Sequence, residues 1–193
     1  MKNLNEIGKG KEKINITEQK GILEKAFENA VWKIARWASE EDRKAGKIYS
    51  SEEALKLFKA PQFSEIKGNI LLNSGINELW TLVCSSGGTK FDNTNAQLGV
   101  GDSNTAENAT QTDLQATTNK AYAGMVSGYP TYGTNQKATW KASFDGNAAN
   151  FAWNEFVVRN GATASKCLNR KVSAQGTKTS GQVWELTLEI TLS

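Results

Sequence analysis

The sequence has no histidine among its 193 residues, and it has only two prolines and two cysteines. The absence of histidine excludes imidazole metal sites, histidine-based catalytic triads and the usual general base near neutral pH. Two cysteines are too few for a tetrahedral thiolate site or a disulfide-rich scaffold. We expect Cys84 and Cys167 to be buried thiols rather than a bridge. These absences favour a non-enzymatic globular protein.

Long hydrophobic runs are also missing. The longest strongly apolar stretches, such as residues 70–72 and 156–158, have three residues, whereas a membrane-spanning helix needs about 20. The lysine-rich start is not followed by the apolar stretch of an export signal. The net charge of +3 is too small to indicate a nucleic-acid partner. We therefore expect a protein that is made in a cytoplasm and has neither a membrane nor a nucleic-acid partner.

The composition of the chain changes near residue 68. Residues 1–68 contain 14 Lys and Arg and 11 Asp and Glu, whereas residues 69–193 contain nine of each. The first part is rich in helix formers, and the second is rich in the Gly, Asn, Thr and Ser that are typical of strands joined by turns. This division predicts an N-terminal arm and helical segment over 1–68. It also predicts an antiparallel β domain, beginning with a short helix, over 69–193.

Apolar residues at steps of three and four predict a helix over residues 18–44. The stripe that this helix would present includes Leu23, Phe27, Ile34 and Trp37. A single apolar stripe must be buried, either on the chain's own β domain or on a neighbouring subunit; both alternatives stay open, and these four residues are candidate partner contacts. A capping box at Ser50 predicts a second, short helix that ends before Pro61.

Alternation of apolar and polar residues predicts the strands of the second part. The clearest runs are Lys137–Phe144 and residues 184–192, in which every second residue is apolar. Alternation with one polar side is typical of an antiparallel sheet that has one face in water. The sequence therefore predicts a mainly β fold, an antiparallel β-sandwich or small barrel with an N-terminal helical extension. Its strands are expected at 97–100, 122–126, 137–144, 151–159, 167–172 and 184–192.

No motif indicates catalysis. The loop that begins Gly99-Val100-Gly101-Asp102 lacks the Lys-Ser/Thr ending of a phosphate-binding loop and is interpreted as a structural turn. The oxygen-bearing residues that follow do not have the spacing of a twelve-residue calcium loop. We therefore predict no catalytic residue, no cofactor-binding residue, no metal ligand and no cofactor.

Three polar residues in strand-like runs are candidate contact residues: Asn154, Asn169 and Arg170. A polar side chain in such a position must face water or find fixed partners. The three residues could hold adjacent strands together, or they could face a neighbouring subunit. The sequence leaves both alternatives open.

Several ordered motifs resemble those of a family of virion structural proteins from tailed bacteriophages and prophages. They are NSGIN (73–77), FDNTNAQLGVGDS (91–103), TDLQ (112–115), FAWNE (151–155), LNR (168–170) and a closing alternating strand. The resemblance covers residues 69–193, and residues 1–68 are not part of it. It implies a structural role in the virion, with no enzyme activity and no cofactor.

The resemblance and the composition together predict a capsid decoration, or cement, protein that is assembled into virions in the host cytoplasm. Its expected partners are the major capsid protein or other virion proteins, and we expect a homo-oligomer. A protein of the tail, neck or fibre base is an alternative with a lower copy number. A carbohydrate-binding adhesin module is another alternative, with Trp140, Trp153 and Tyr129 or Tyr132 as stacking platforms; it requires at least one of these tryptophans to be exposed.

Overall fold

The computed structural model describes residues 29–192. The three helices in this range are α1 (Glu40–Lys44), α2 (Ser51–Phe58) and α3 (Asn73–Cys84). The ten strands are β1 (Ala30–Trp37), β2 (Phe63–Lys67), β3 (Ile70–Leu71), β4 (Gln97–Gly101), β5 (Lys120–Gly124), β6 (Thr131–Thr134), β7 (Lys137–Phe144), β8 (Glu155–Arg159), β9 (Cys167–Val172) and β10 (Val183–Thr191).

The strands form two five-stranded antiparallel sheets that pack face to face. The first sheet has the order β2-β1-β10-β7-β6, and the second has the order β3-β9-β8-β4-β5. Side chains from both sheets fill one core, in which the Trp153 and Trp184 rings lie 4.8 Å apart. Alternation along β10 places Trp184, Leu186 and Leu188 in that core. The predicted mainly β sandwich is confirmed.

The helix predicted over residues 18–44 is wrong for residues 30–37, which form β1. Along β1, Ala30, Trp32, Ile34 and Arg36 are all buried at 0–1% exposure, the alternation of a strand. Ala30 and Ile34 also fit a helical period, because a spacing of four satisfies both patterns. The strand prevails because β1 pairs with β10 on one side and with β2 on the other. Helix α1 is the only part of residues 30–44 that is helical.

The predicted helical extension before residue 29, with Leu23 and Phe27, lies outside the described residues. The boundary predicted at residue 68 does not divide the described residues into two units. Strands β1 and β2 come before it and β10 comes after it, yet all three lie in one sheet. Composition does not reveal the pairing of residues that are distant in sequence.

The short helix predicted before Pro61 is confirmed as α2. The short helix predicted at the start of 69–193 is confirmed as α3 but begins later, at Asn73, because Ile70 and Leu71 form β3. Ser50 accepts a hydrogen bond from the Glu53 amide and donates its own amide to the Glu53 carboxylate, which completes the capping box of α2. Helix α3 begins at Asn73 and packs against β9. Gly75 makes this packing possible, because a Cβ at that position would lie 2.3 Å from Leu168 Cα.

Both cysteines are free thiols. The prediction of a buried thiol is confirmed for Cys167 and wrong for Cys84, which is exposed at the end of α3. Within residues 29–192, no helix combines the length and apolar character needed to cross a membrane.

Candidate interaction surface

An ion pair between Glu155 and Arg170 is buried in the second sheet. Both side chains are 0% exposed, and Arg170 Nη2 lies 2.7 Å from Glu155 Oε2. The carboxylate also accepts the backbone amides of Gln115 and Ala116 at 2.8 and 2.7 Å. Arg170 donates in addition to Gln111 Oε1, at 3.0 Å. The pair therefore fixes the long connection between β4 and β5 against the outer face of this sheet.

The two asparagines predicted as contact residues also form hydrogen bonds within the chain. Asn154 Nδ2 donates to the carbonyl of Asp102 at 2.9 Å, at the start of the same connection. Asn169 is 0% exposed, and its Oδ1 accepts the amide of Val158 on the neighbouring strand at 3.3 Å. These contacts, like those of Arg170, join strands and loops within the chain. They correspond to the first of the two alternatives that the sequence leaves open.

Asp113, in the same connection, contacts β5 and β9. Its Oδ1 accepts hydrogen bonds from Tyr122 Oη at 2.7 Å and from the Cys167 thiol at 3.5 Å. Burial, followed by the contact with Asp113, raises the pKa of both Tyr122 and Cys167. A thiol with a raised pKa is a poor nucleophile, so this cluster holds the loop rather than activating a reactive group.

The glycines of the Gly99-Val100-Gly101 run have a packing role. A Cβ at Gly99 would lie 2.7 Å from the Tyr122 ring, and one at Gly101 would lie 2.4 Å from Glu155 Oε1. Both residues belong to β4 and not to a phosphate-binding turn. Among residues 29–192, no group of three or more Cys, Asp or Glu side chains is placed to hold a metal ion.

The described residues expose an apolar surface at the edge of the first sheet. We call it the β2 surface and define it by Ile48, Leu55 and Phe63, which are 71%, 54% and 53% exposed. The three side chains line one groove of about 300 Å³. Phe63 also lines two further grooves, one toward Gly176 and one along the outer face of the first sheet. Clustered exposed apolar side chains of this kind mark interaction sites.

A network of hydrogen bonds holds the residues beneath the β2 surface in place. The Tyr49 hydroxyl donates to Asp42 Oδ2 at 2.6 Å and accepts the amide of Ala38. Burial and the Asp42 carboxylate raise the pKa of Tyr49 to about 12, and the hydrogen bond from Tyr49 lowers the pKa of Asp42. Gln62 joins the two sides of the groove, accepting the Tyr49 amide and donating to the Lys47 carbonyl. A preformed surface costs little ordering entropy when a partner binds.

The backbone of β2 offers hydrogen bonds at the same place. Gly68 N donates to Ala30 O, and Arg36 N donates to Gln62 O. In this antiparallel pair, the backbone groups of the even-numbered residues of β2 therefore form the hydrogen bonds with β1. The N–H and C=O groups of Phe63, Glu65 and Lys67 consequently point away from β1. Within residues 29–192, no strand pairs with that outer edge.

The predicted contact residues of the first segment lie in different settings. Ile34 is buried in the core of its own chain. Trp37 is half-buried, and its ring meets Phe63 edge-on at 6.3 Å, so it borders the β2 surface. Sequence reasoning missed Ile48 and Phe63, which belong to no periodic pattern. Leu55 had a signal, because Ala54 and Phe58 already supply the buried face of α2.

The stacking platform of the adhesin alternative is wrong for both tryptophans. Trp140 is 7% exposed and donates Nε1 to the Phe91 carbonyl, and Trp153 is 0% exposed. Tyr132 alone among the proposed platform residues is strongly exposed, at 75%.

Comparison of the chain with known protein families, with curated proteins and with solved structures finds no match. The functional conclusion therefore depends on the β2 surface and on the sequence motifs of the chain itself.

Proposed function

We propose that this chain is a non-enzymatic structural protein of a tailed-bacteriophage virion, and specifically a capsid decoration protein. In this role the β-sandwich is a rigid block on the shell lattice, and residues 1–28 reach toward neighbouring subunits. Its partners are the major capsid protein and further copies of itself. The protein is assembled into particles in the host cytoplasm.

The observation that carries this proposal is the β2 surface. Its three exposed apolar side chains lie on a hydrogen-bonded base, next to a strand edge that no strand among residues 29–192 covers. Burial of each such side chain against a partner contributes about 1.5–3 kcal/mol before ordering costs. A lattice repeats the same contact many times, so that weak individual contacts add as avidity. Such a surface suits a protein that acts by being held in place.

The phage-like motifs support the rigid-block part of the proposal. FAWNE contains Glu155, LNR contains Arg170, and LGVG contains the two glycines that pack beneath Tyr122 and Glu155. The motifs thus converge on one buried cluster that fixes the β4–β5 connection. In a decoration protein, this cluster preserves the shape of the block without taking part in chemistry.

The proposal is tested on purified particles of the phage or induced prophage whose genome encodes the chain. We expect Phe63→Ser, or deletion of residues 2–28, to reduce the occupancy of the protein and to lower the resistance of the particles to heat. Tyr132→Ser is the matched control, because Tyr132 is an exposed aromatic residue on the opposite edge strand of the same sheet. Unchanged occupancy and heat resistance in both test variants would contradict the proposal.

A tail, neck or fibre-base location is the alternative within the virion, since a β2 surface would serve there equally well. The number of copies of the protein per particle distinguishes a capsid location from a tail, neck or fibre-base location. A lattice role requires hundreds of copies per particle, whereas a tail or neck role requires a small multiple of the local symmetry.

A further inference from the structure

We infer that the groove between β2 and the loop after β9 binds a carboxylate of a partner protein. The carboxylate belongs to an acidic side chain on an extended segment that docks along the β2 edge. We call this groove, of about 510 Å³, the Ser64 groove; its walls include Lys59, Ser64, Glu65, Gln175 and Gly176. The inference rests on the proposed function and deepens it, because it states the chemistry of the partner at the β2 surface.

A buried positive charge without an acidic partner borders the Ser64 groove. Arg36 is 0% exposed. It donates to Pro61 O at 2.7 Å, Ser64 Oγ at 2.8 Å and Gln175 O at 2.8 Å. None of these acceptors carries a negative charge, and all three residues line the groove. Burial lowers the pKa of Arg36 to about 10, so the guanidinium is charged near neutral pH and favours an anion nearby.

The groove also offers hydrogen-bond donors that have no acceptor. The Ser64 hydroxyl accepts from Arg36, and its own proton has no acceptor among residues 29–192. The amides of Ala174 and Gly176, which line the groove as well, donate to no group in the described part of the chain. A carboxylate only accepts hydrogen bonds, so it matches this set of donors.

The charged residues on the walls favour an anion as well. Lys59 is exposed on one wall. Among the described residues that line the groove, Glu65 alone is acidic. Lys59 and the buried Arg36 therefore supply two positive charges against one negative charge, and a partner with a carboxylate is electrostatically complementary.

The position of the groove indicates an extended segment rather than a free anion. Leu55 and Phe63 line both the Ser64 groove and the apolar groove of the β2 surface. At the same edge, the N–H and C=O groups of Phe63 and Glu65 point away from β1, where an added strand can pair with them. Side chains of such a strand alternate between two faces. Apolar side chains on one face would cover Phe63, while acidic side chains on the other would reach Ser64.

The charge of the N-terminal segment favours another protein as the source of the carboxylate. Residues 1–28 contain six Lys and five Glu, so they have no excess of negative charge. A separate chain with an acidic, alternating segment complements the groove better.

Binding of two end-blocked pentapeptides to the full-length protein, followed by NMR titration, tests the inference. The peptides are Val-Glu-Val-Glu-Val and Val-Gln-Val-Gln-Val, which share one apolar face and differ only in charge. We expect the glutamate peptide to bind about tenfold more tightly, as for hydrogen bonds to a charged group, and to shift the amide resonances of Ser64 and Gly176. Equal binding of the two peptides, or binding of neither, would overturn the inference.

Variants of the groove walls locate the carboxylate. Ser64→Ala and Lys59→Asn should each weaken binding of the glutamate peptide by about threefold or more; asparagine suits the positive φ of 55° at Lys59. Glu65→Gln should instead strengthen binding, because it removes the opposing carboxylate. Lys56→Gln, at an exposed position of α2 outside the groove, is the control for net charge and should bind like the wild type.

The unfolding midpoint of each variant separates a loss of binding from a loss of folding. Equal affinities of folded Lys59→Asn and Lys56→Gln for the glutamate peptide would overturn the inference. Weaker binding by folded Glu65→Gln would also overturn it, since the groove would then prefer a cation.

Two further measurements distinguish other occupants. Sodium acetate at equal ionic strength is the probe for a free carboxylate, and we expect it to bind more weakly than the glutamate peptide, because it cannot pair with the β2 edge. A full-length variant in which every Glu of residues 1–28 is replaced by Gln is the probe for the chain's own segment, and it should bind the peptide like the wild type. Acetate that binds as tightly as the peptide, or a peptide that binds only to this variant, would overturn the inference.

The inference and the proposed function fail separately. Purified protein that does not distinguish the two peptides overturns the inference, whatever its copy number in particles. Protein that selects the glutamate peptide but is missing from particles overturns the proposed function alone.

Discussion

Among residues 29–192, four charged side chains have no exposure to solvent: Arg36, Glu155, Arg170 and Lys178. Glu155 and Arg170 neutralise each other, whereas Arg36 and Lys178 are held mainly by backbone carbonyls. The Arg36 guanidinium also lies 4.6 Å from the centre of the Trp184 ring, and burial lowers its pKa to about 10. Each group links segments that are distant in sequence, so these residues define the loop positions on which both faces of the sandwich depend.

Arg170→Met should destabilise the protein by about 3–5 kcal/mol, because it leaves the Glu155 carboxylate buried without its partner. The free energy of unfolding in urea measures this loss. Lys33→Met is the matched control, since Lys33 pairs with Glu189 at 2.9 Å on the surface and an exposed pair contributes about 0–1 kcal/mol. Equal losses in the two variants would contradict a structural role for the buried pair.

Lys178 gives the stability a distinct pH dependence. Its Nζ donates to the carbonyls of Asp145 and Ala148 and to Asn150 Oδ1, and burial lowers its pKa from 10.5 to about 8. Between these values the unfolded chain holds more protons on this residue than the folded chain does, so the free energy of unfolding rises with pH.

We therefore expect the difference in unfolding free energy between the wild type and Lys178→Met to increase from pH 8 to pH 10.5. Urea unfolding at several pH values measures this difference, from which the titrations shared by both proteins cancel. A difference that stays flat or falls across this window would contradict the lowered pKa.

Among the elements, α3 depends on one glycine. A Cβ on Gly75 would meet Leu168 Cα at 2.3 Å and Cys167 O at 2.5 Å, and neither is the end of a flexible side chain. We expect Gly75→Ala to destabilise the protein by about 1–3 kcal/mol through overpacking, although alanine favours helix over glycine by about 1 kcal/mol. Asn77→Ala, at an exposed position of the same helix, is the control. A gain in stability for Gly75→Ala, measured by thermal unfolding, would show that α3 does not pack closely on β9.

Elements whose sequence fits only one pattern could be predicted from the sequence. β7 and β10 alternate over eight and nine residues, and the capping box of α2 depends only on residues three apart. β1 could not be predicted, because Ile34 and Trp37 satisfy a helical period and the buried Arg36 hides the alternation. The choice between the two periods is made by pairing with β10, more than 140 residues away in sequence. β2 and β6 were missed because they are short edge strands with little apolar pattern. β3 has only two residues, Ile70 and Leu71, and both also fit the apolar pattern of the helix predicted at this point.

The candidate surface was even less visible in the sequence. Ile48, Leu55 and Phe63 come from a loop, a helix and a strand, and only the packing of β1 against β2 brings them together. Asn169 and Arg170 were recognised as unusual because polar residues stood in a strand pattern, but their partners lie in a loop whose path the sequence does not reveal. Burial decides their role, and burial is a property of the whole molecule.

At the scale of the whole molecule, the sandwich has two different outer faces. The second sheet is covered by the β4–β5 connection, which Glu155 and Arg170 hold, and by α3, which packs on β9. In the first sheet, the β2 edge beside the apolar groove has no pairing strand within the described part of the chain. The two faces therefore differ in what covers them, and α3 on the second sheet also exposes the apolar side chains of Trp80 and Val83, at 62% and 74%.

The most direct test of this account is the number of copies of the chain in purified particles, measured by quantitative mass spectrometry against the major capsid protein. The account predicts hundreds of copies per particle, in a fixed ratio to the shell protein. Absence of the chain from particles, together with its presence as a free protein in the host cell, would contradict it.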